Sequence, residues 1–182
     1  MRYDIRFSGS GGQGIITAGI LLAQAAAIKG GKNAVQSQSY GPEARGGASK
    51  AEVIISDDEI NYPKIVNPDI VISLTQEAYD KYAVDLKDDA TVIVDTKMVH
   101  DYDKSKHKTY DVPVIAAVSK ELGSSVSANI AILGAVNEIC SIVQHDWLLD
   151  VIVNNFPARA AENNKKAYNI GIELAKKALG EK

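Results

Sequence analysis

The hydrophobic and polar positions of this chain follow two periods, one typical of strands and one typical of helices. Residues 3–7 alternate apolar and polar side chains, as a short strand does, and a run of glycines follows them. Over residues 16–29 the apolar positions recur at helical spacing, and a pair of glycines ends that helix. Residues 33–38 fit a second strand and residues 49–56 a third. The N-terminal part therefore predicts the order strand, helix, strand, strand.

The middle of the chain repeats short apolar runs that are typical of buried parallel strands. Such runs occupy residues 69–74 and 90–95, with a helical pattern at 75–82 between them, and residues 114–115 fit one more strand. Because strands alternate with helices, the pattern predicts an α/β fold, a three-layer sandwich with a Rossmann-like first βα unit. Two strands that follow each other without a helix predict a mixed, mostly parallel sheet.

The C-terminal part predicts two long helices. Residues 127–144 are apolar on nearly every side, so we expect this helix to be buried or to lie in an interface. Residues 158–179 form an amphipathic pattern. No repeat and no long linker interrupts the chain, so we expect residues 1–182 to form a single domain.

Composition limits the kinds of partner. Hydrophobic residues make up 46% and charged residues 24%, which is ordinary for a soluble globular protein. The net charge of −3 gives no general attraction to nucleic acid or to an anionic membrane, so any phosphate binding must be local. No signal-peptide pattern and no N-terminal run of 18 uncharged apolar residues is present, and we expect a cytoplasmic protein.

The chain has a single cysteine, Cys140. A disulfide framework, a structural zinc site of several cysteines and an iron–sulfur cluster held by this chain alone are excluded, because each needs several ligands. Cys140 shares helical spacing with apolar residues, so we expect a core thiol. The three histidines, His100, His107 and His145, lack metal-ligand spacing, and we expect no metal site.

The glycine run suggests a phosphate site. Gly9, Gly11 and Gly14 fit G-x-G-x-x-G between a strand and a helix, where glycines allow a tight turn and bring backbone amides to an anion. A nicotinamide site usually has an acidic residue about 20 positions further on, but residues 36–39 are Gln-Ser-Gln-Ser. The Lys-Ser or Lys-Thr of a P-loop is also missing. A tight turn without a ligand remains the alternative.

Two segments carry a family resemblance. SGSGGQGIITAGILLAQAAAIKGG, residues 8–31, and QSQSYGPEARGGASKAEVIIS, residues 36–56, resemble the gamma subunit of 2-oxoacid:ferredoxin oxidoreductases. The loop S-Y-G-P-E-A-R-G-G is more similar to the 2-oxoglutarate type than to the pyruvate type, whose loop tends toward F-G-P-E-R-R-G. The resemblance is tight over the first third and looser over the N-P-D-I-V-I-S-L strand and the C-terminal helix.

The resemblance implies a subunit of a complex. Such an enzyme oxidatively decarboxylates a 2-oxoacid, here 2-oxoglutarate rather than pyruvate, to an acyl-CoA and passes electrons to ferredoxin. It implies thiamine diphosphate on alpha and beta subunits and iron–sulfur clusters on beta and delta subunits. It further implies that the gamma subunit contributes architecture and that its equivalent domain in single-chain relatives helps to bind coenzyme A. We expect a dimer of heteromers and no nucleic-acid or membrane partner. We expect the isolated chain to be inactive and to hold no catalytic residue.

The expected cofactor-binding residues lie in two loops. In the first, we expect the amides of Gly11, Gly12, Gln13 and Gly14 to meet a phosphate of coenzyme A, with a further donor from the Gln13 side chain and with Ser10 opening the loop.

In the second loop, Arg45 is a candidate for a bidentate phosphate contact and Tyr40 for stacking or lining the groove. A salt bridge from Arg45 to Glu43, a contact with another subunit, and a core or interface role for Tyr40 are the alternatives. A free-standing, Rossmann-like nucleotide-binding dehydrogenase is the alternative function.

Overall fold

The computed structural model describes residues 1–39 and 47–180. In this part of the chain one sheet has the strand order β2-β3-β1-β4-β5-β6. β3 pairs antiparallel with both β1 and β2, whereas β1, β4, β5 and β6 are parallel to one another. The predicted α/β fold with a mixed, mostly parallel sheet is confirmed. The strands are β1 Arg2–Ser10, β2 Asn33–Gln38, β3 Ala48–Ser56, β4 Ile70–Ser73, β5 Thr91–Val94 and β6 Lys108–Asp111.

Helices connect the strands and fill the C-terminal part. None of those in the described ranges is long and apolar enough to cross a membrane. The helices are α1 Ile15–Gln24, which continues as the π-helical turn Ala25–Lys29, α2 Gln76–Tyr82, α3 Val114–Leu122, α4 Ala128–Cys140, α5 His145–Asn155 and α6 Ala161–Ala178, which the 3-10 turn Ala158–Ala160 precedes.

The two faces of the sheet differ in polarity. Ile5 and Phe7 of β1 are fully buried in the main core with residues of α1 and of α3 to α6. On the other face, Arg6 pairs with Glu52 of β3 at 2.8 Å and donates to the carbonyl of Tyr82 in α2. Because side chains alternate along a strand, β1 contributes side chains to both faces of the sheet, and α2 covers the polar face. Helices therefore lie on both sides of the sheet, which makes the three layers.

The apolar helix expected at residues 127–144 is buried inside the chain. Residues 128–137 of α4 are all buried, and α6 packs along them. The backbones approach closely where each helix has a glycine. A Cβ on Gly134 would collide with the carbonyl of Tyr168, and one on Gly171 with the carbonyl of Ala131. α6, not a partner subunit, covers this part of α4.

Two expected elements differ from the structure. Residues 114–115 begin helix α3, and the sixth strand is Lys108–Asp111, so the predicted strand at 114–115 is wrong. The helix predicted over 127–144 ends at Cys140, because the amide side chain of Asn137 bonds both the N–H and the carbonyl of Val143 at 3.0 Å. Residues 141–144 continue the apolar pattern but form a loop, and helix α5 follows where the pattern had predicted no separate helix.

Candidate functional site

The glycine loop lies between the end of β1 and the start of α1. Gly12 and Gly14 have φ values of 89° and 73°, in the left-handed region where side chains cause strain. Gly14 is the N-cap of α1, and no side chain among the described residues caps this helix. The first amides of α1 therefore keep their capacity to bind an anion.

Some backbone amides of the glycine loop already donate hydrogen bonds within the protein. The amide of Gly11 donates to the Gly47 carbonyl at 3.4 Å, and that of Gln13 donates to the Ser10 carbonyl at 3.3 Å. The Gln13 side-chain carbonyl accepts from the Ser10 amide at 2.8 Å, which fixes the orientation of this side chain. Of the expected donors, the amides of Gly12 and Gly14 and the side-chain NH₂ of Gln13 remain the candidates for a ligand.

A cavity of about 180 Å³ lies beside the loop. It lies where β1 and β4 end, and these neighbouring parallel strands lead into helices on opposite faces of the sheet. In open α/β sheets, ligands bind at this kind of switch point. None of the described residues around the cavity is acidic, which suits an anion. They are Gly12, Gln13, Leu74, Ile115, Ser125, Val126 and Ala128.

The first turn of helix α4 forms another part of the cavity wall. Its first turn contains Ala128, which lines the cavity, and Asn129, whose side-chain NH₂ donates to the Gly14 carbonyl at 3.3 Å. The N-termini of α1 and α4 are therefore adjacent. Because the N-terminal end of a helix carries partial positive charge, both helices favour an anion here.

Asp95 is a residue near the cavity that was not among the site residues expected from the sequence. It follows β5 and is fully buried. Its carboxylate accepts from the amides of Lys97 at 3.0 Å and Ile115 at 2.9 Å. Burial raises the pKa of this carboxyl, and the two hydrogen bonds oppose that shift. Asp95 holds the start of α3, and thereby Ile115, at the cavity wall. The sequence did contain a signal for this residue, because Asp95 directly follows a buried strand.

The structure brings Ser10, Gly11, Gly12, Gln13 and Gly14 together in one loop beside the cavity. Tyr40 and Arg45 lie outside the described residues.

The histidines and the cysteine lie elsewhere. His145 contacts the Tyr168 hydroxyl at 2.8 Å and the Glu138 carboxylate at 3.0 Å. Burial raises the pKa of the Cys140 thiol to about 12, so this thiol stays protonated at neutral pH. Within residues 1–39 and 47–180, no three histidine, cysteine or acidic side chains are grouped to hold a metal.

Comparison with known proteins identifies the family. The family model for pyruvate ferredoxin/flavodoxin oxidoreductases matches residues 4–174. The chain belongs to this family. The 2-oxoglutarate synthase subunit KorC of Methanocaldococcus jannaschii is 46% identical over 97% of this chain and 95% of its own length. The predicted place of the chain as a subunit of a 2-oxoacid oxidoreductase is confirmed.

Two solved structures support the same relationship. The gamma subunit of a keto/oxoacid ferredoxin oxidoreductase from Geobacter sulfurreducens superposes with a TM-score of 0.90 at 42% identity, and the match covers 98% of both chains. A 2-oxoglutarate:ferredoxin oxidoreductase from Magnetococcus marinus, solved with 2-oxoglutarate, coenzyme A and succinyl-CoA bound, superposes with a TM-score of 0.87 at 25% identity. This match covers 97% of the present chain and 31% of the longer one.

Proposed function

We propose that this chain is the gamma-type subunit of a 2-oxoglutarate:ferredoxin oxidoreductase and that its β1–α1 loop binds a phosphate of coenzyme A. The observation that carries the proposal is the cavity at the switch point, bounded by the left-handed glycine loop and by the first turn of α4. The bound coenzyme A of the Magnetococcus marinus enzyme supports the choice of ligand.

The preference for 2-oxoglutarate rests on the relatives. The KorC subunit of Methanothermobacter marburgensis is 42% identical to this chain, whereas the pyruvate synthase subunit PorC of the same organism is 33% identical. A purified complex is expected to reduce ferredoxin with a higher kcat/KM for 2-oxoglutarate than for pyruvate.

The residues of this chain bind and orient coenzyme A in the proposed function. The amides of Gly12 and Gly14 and the NH₂ of Gln13 donate to phosphate oxygens, and the N-terminus of α1 adds its partial positive charge. Arg45 and Tyr40 are proposed as further contacts. The decarboxylation chemistry comes from thiamine diphosphate, and electron transfer to ferredoxin from iron–sulfur clusters, both on partner alpha, beta and delta subunits.

The substitution Gln13→Glu tests the proposal in the assembled complex. Glutamate is isosteric and keeps the oxygen that accepts from Ser10, but it replaces the donor NH₂ by a negatively charged oxygen. Hydrogen bonds to charged groups contribute about 1.5–3 kcal/mol, so we expect the KM for coenzyme A to rise by about ten- to a hundredfold. The KM for 2-oxoglutarate should stay the same. Steady-state kinetics with each substrate varied in turn measures both.

The control is Gln144→Glu, which makes the same chemical change on an exposed residue at the start of α5. It should leave both KM values unchanged. If Gln13→Glu assembles and binds coenzyme A as tightly as the wild type, the loop is a structural turn and the phosphate site is disproved.

A further inference from the structure

Asn129 packs directly against the bare backbone of Gly14. Asn129 is 7% exposed, and its side-chain NH₂ donates to the Gly14 carbonyl across 3.3 Å. A Cβ on Gly14 would come within 2.6 Å of the Asn129 Nδ2 and 2.9 Å of its Cγ. Asn129 can therefore pack at this position only because Gly14 has no side chain.

This contact sets the direction of an amide at the loop. The carbonyl of Gly14 also accepts from the amide of Ala18 at 3.0 Å, the first hydrogen bond of α1. Because a peptide group is planar, holding the Gly14 carbonyl holds the amide of Ile15, which points the opposite way. Two donors on one carbonyl thus fix the peptide plane at the beginning of α1.

We propose that Asn129 is a positioning residue for the anion loop, an inference that rests on the proposed coenzyme A site. Asn129 is not among the residues that line the cavity, so it acts through Gly14. It also joins the loop to the first turn of α4, whose Ala128 lines the same cavity. The spacing between the loop and this turn depends on this side chain.

Asn137 provides a matched control on the same helix. It is also buried, at 1% exposure, and also bonds a backbone carbonyl, that of Val143, but at the other end of α4. Both Asn129→Ala and Asn137→Ala are expected to lower the melting temperature of the assembled complex. Only Asn129→Ala should raise the KM for coenzyme A, by about three- to tenfold for a neutral hydrogen bond, with kcat and the KM for 2-oxoglutarate unchanged.

Asn129→Asp is the second variant, for the case that the alanine variant assembles poorly. It has nearly the same volume, but it replaces the donor by an oxygen that repels the Gly14 carbonyl. We expect a larger rise in the KM for coenzyme A than with alanine.

A double substitution tests the physical contact itself. Gly14→Ala should impair coenzyme A binding through backbone strain and through the collision with Asn129. In the Asn129→Ala background most of the collision disappears and only the strain remains. The KM for coenzyme A of the double variant should therefore be lower than the product of the two single effects predicts.

The outcomes separate this inference from the proposed function. If Gln13→Glu raises the KM for coenzyme A but Asn129→Ala and Asn129→Asp do not, the positioning role is overturned and the phosphate site stands. If Gln13→Glu, Asn129→Ala and Asn129→Asp all leave the KM for coenzyme A unchanged, the positioning role and the phosphate site are both overturned. If Asn129→Ala and Asn137→Ala change the KM for coenzyme A equally, Asn129 is only structural.

Discussion

At the scale of single residues, the two loop glycines differ in what surrounds them. A Cβ on Gly14 would meet Asn129, whereas one on Gly12 would meet no described atom within 4 Å. A side chain at Gly12 therefore acts through its φ of 89° and through the space that a ligand would fill. These two effects can be separated because Gly31 has a φ of 62° and equally open surroundings, away from the cavity.

We predict that Gly12→Val raises the KM for coenzyme A of the assembled enzyme at least tenfold, since the valine occupies the path of the phosphate. Gly31→Val should cost a similar backbone strain, about 1–3 kcal/mol, without that kinetic effect. Thermal melting measures the loss of stability that the strain causes. Kinetics at varied coenzyme A concentration measures the KM. Equal kinetics for the two variants would show that the Gly12 backbone faces no ligand.

Asp95 predicts a dependence of stability on pH. Burial raises the pKa of this carboxyl in the folded state above its ordinary value of 3.8, so the folded protein holds the proton more tightly than the unfolded chain. The contribution of Asp95 to stability is therefore largest below pH 3.8 and is lost as the pH rises through the raised pKa.

The measurement is the free energy of unfolding of the wild type and of Asp95→Asn between pH 4 and pH 7. The wild type should lose stability relative to the variant as the pH rises, since asparagine carries no charge. A relative gain of the wild type over this range would mean that the hydrogen bonds from Lys97 and Ile115 outweigh the cost of burial.

At the scale of elements, the second and third strands agree closely with the predicted strand positions, whereas the predicted helix over 127–144 is too long. The predicted second strand coincides with β2, and the predicted third differs from β3 by one residue. The break between α4 and α5 was missed because it has no glycine or proline. A side-chain contact from Asn137 to Val143 makes it, together with a left-handed Ser141.

The close contact between α4 and α6 predicts that one substitution, Gly171→Ala, destabilises the protein. Helix propensity alone favours Gly171→Ala by about 1 kcal/mol. The structure predicts destabilisation by about 1–3 kcal/mol or more, because the new methyl group would collide with the backbone of α4 at Ala131. Asn169→Ala on the exposed side of α6 is the control, and it should stabilise by a few tenths of a kcal/mol. Chemical denaturation measures both, and a stabilised Gly171→Ala would refute the close approach.

At the scale of the whole molecule, the chain forms its own sheet and core in the described residues. The same fold accounts for 98% of the Geobacter sulfurreducens gamma subunit and for 31% of the longer Magnetococcus marinus chain. One folding unit thus occurs both as a separate subunit and as part of a larger polypeptide.

We predict that the purified chain alone neither reduces ferredoxin with 2-oxoglutarate nor shows the visible absorbance of an iron–sulfur cluster. It has one cysteine, whose thiol has a pKa of about 12, and a cluster needs several thiolate ligands. Absorbance spectra, iron analysis and an activity assay before and after addition of the partner subunits measure this. Stoichiometric iron in the pure chain would contradict the prediction.

The sequence by itself determined the fold class, the position of the loop and the family, because local periods, glycine spacing and contiguous motifs are properties of neighbouring residues. The glycine spacing alone therefore indicated residues 10–14. Only the tertiary structure showed which loop amides are already used, that Asn129 supports Gly14, and that Asp95 holds the cavity wall. The contacts of Gly11 with Gly47, of Ile115 with Asp95 and of Asn129 with Gly14 join residues 20 to 115 positions apart, and no local pattern encodes a pairing that arises only when separate elements pack together.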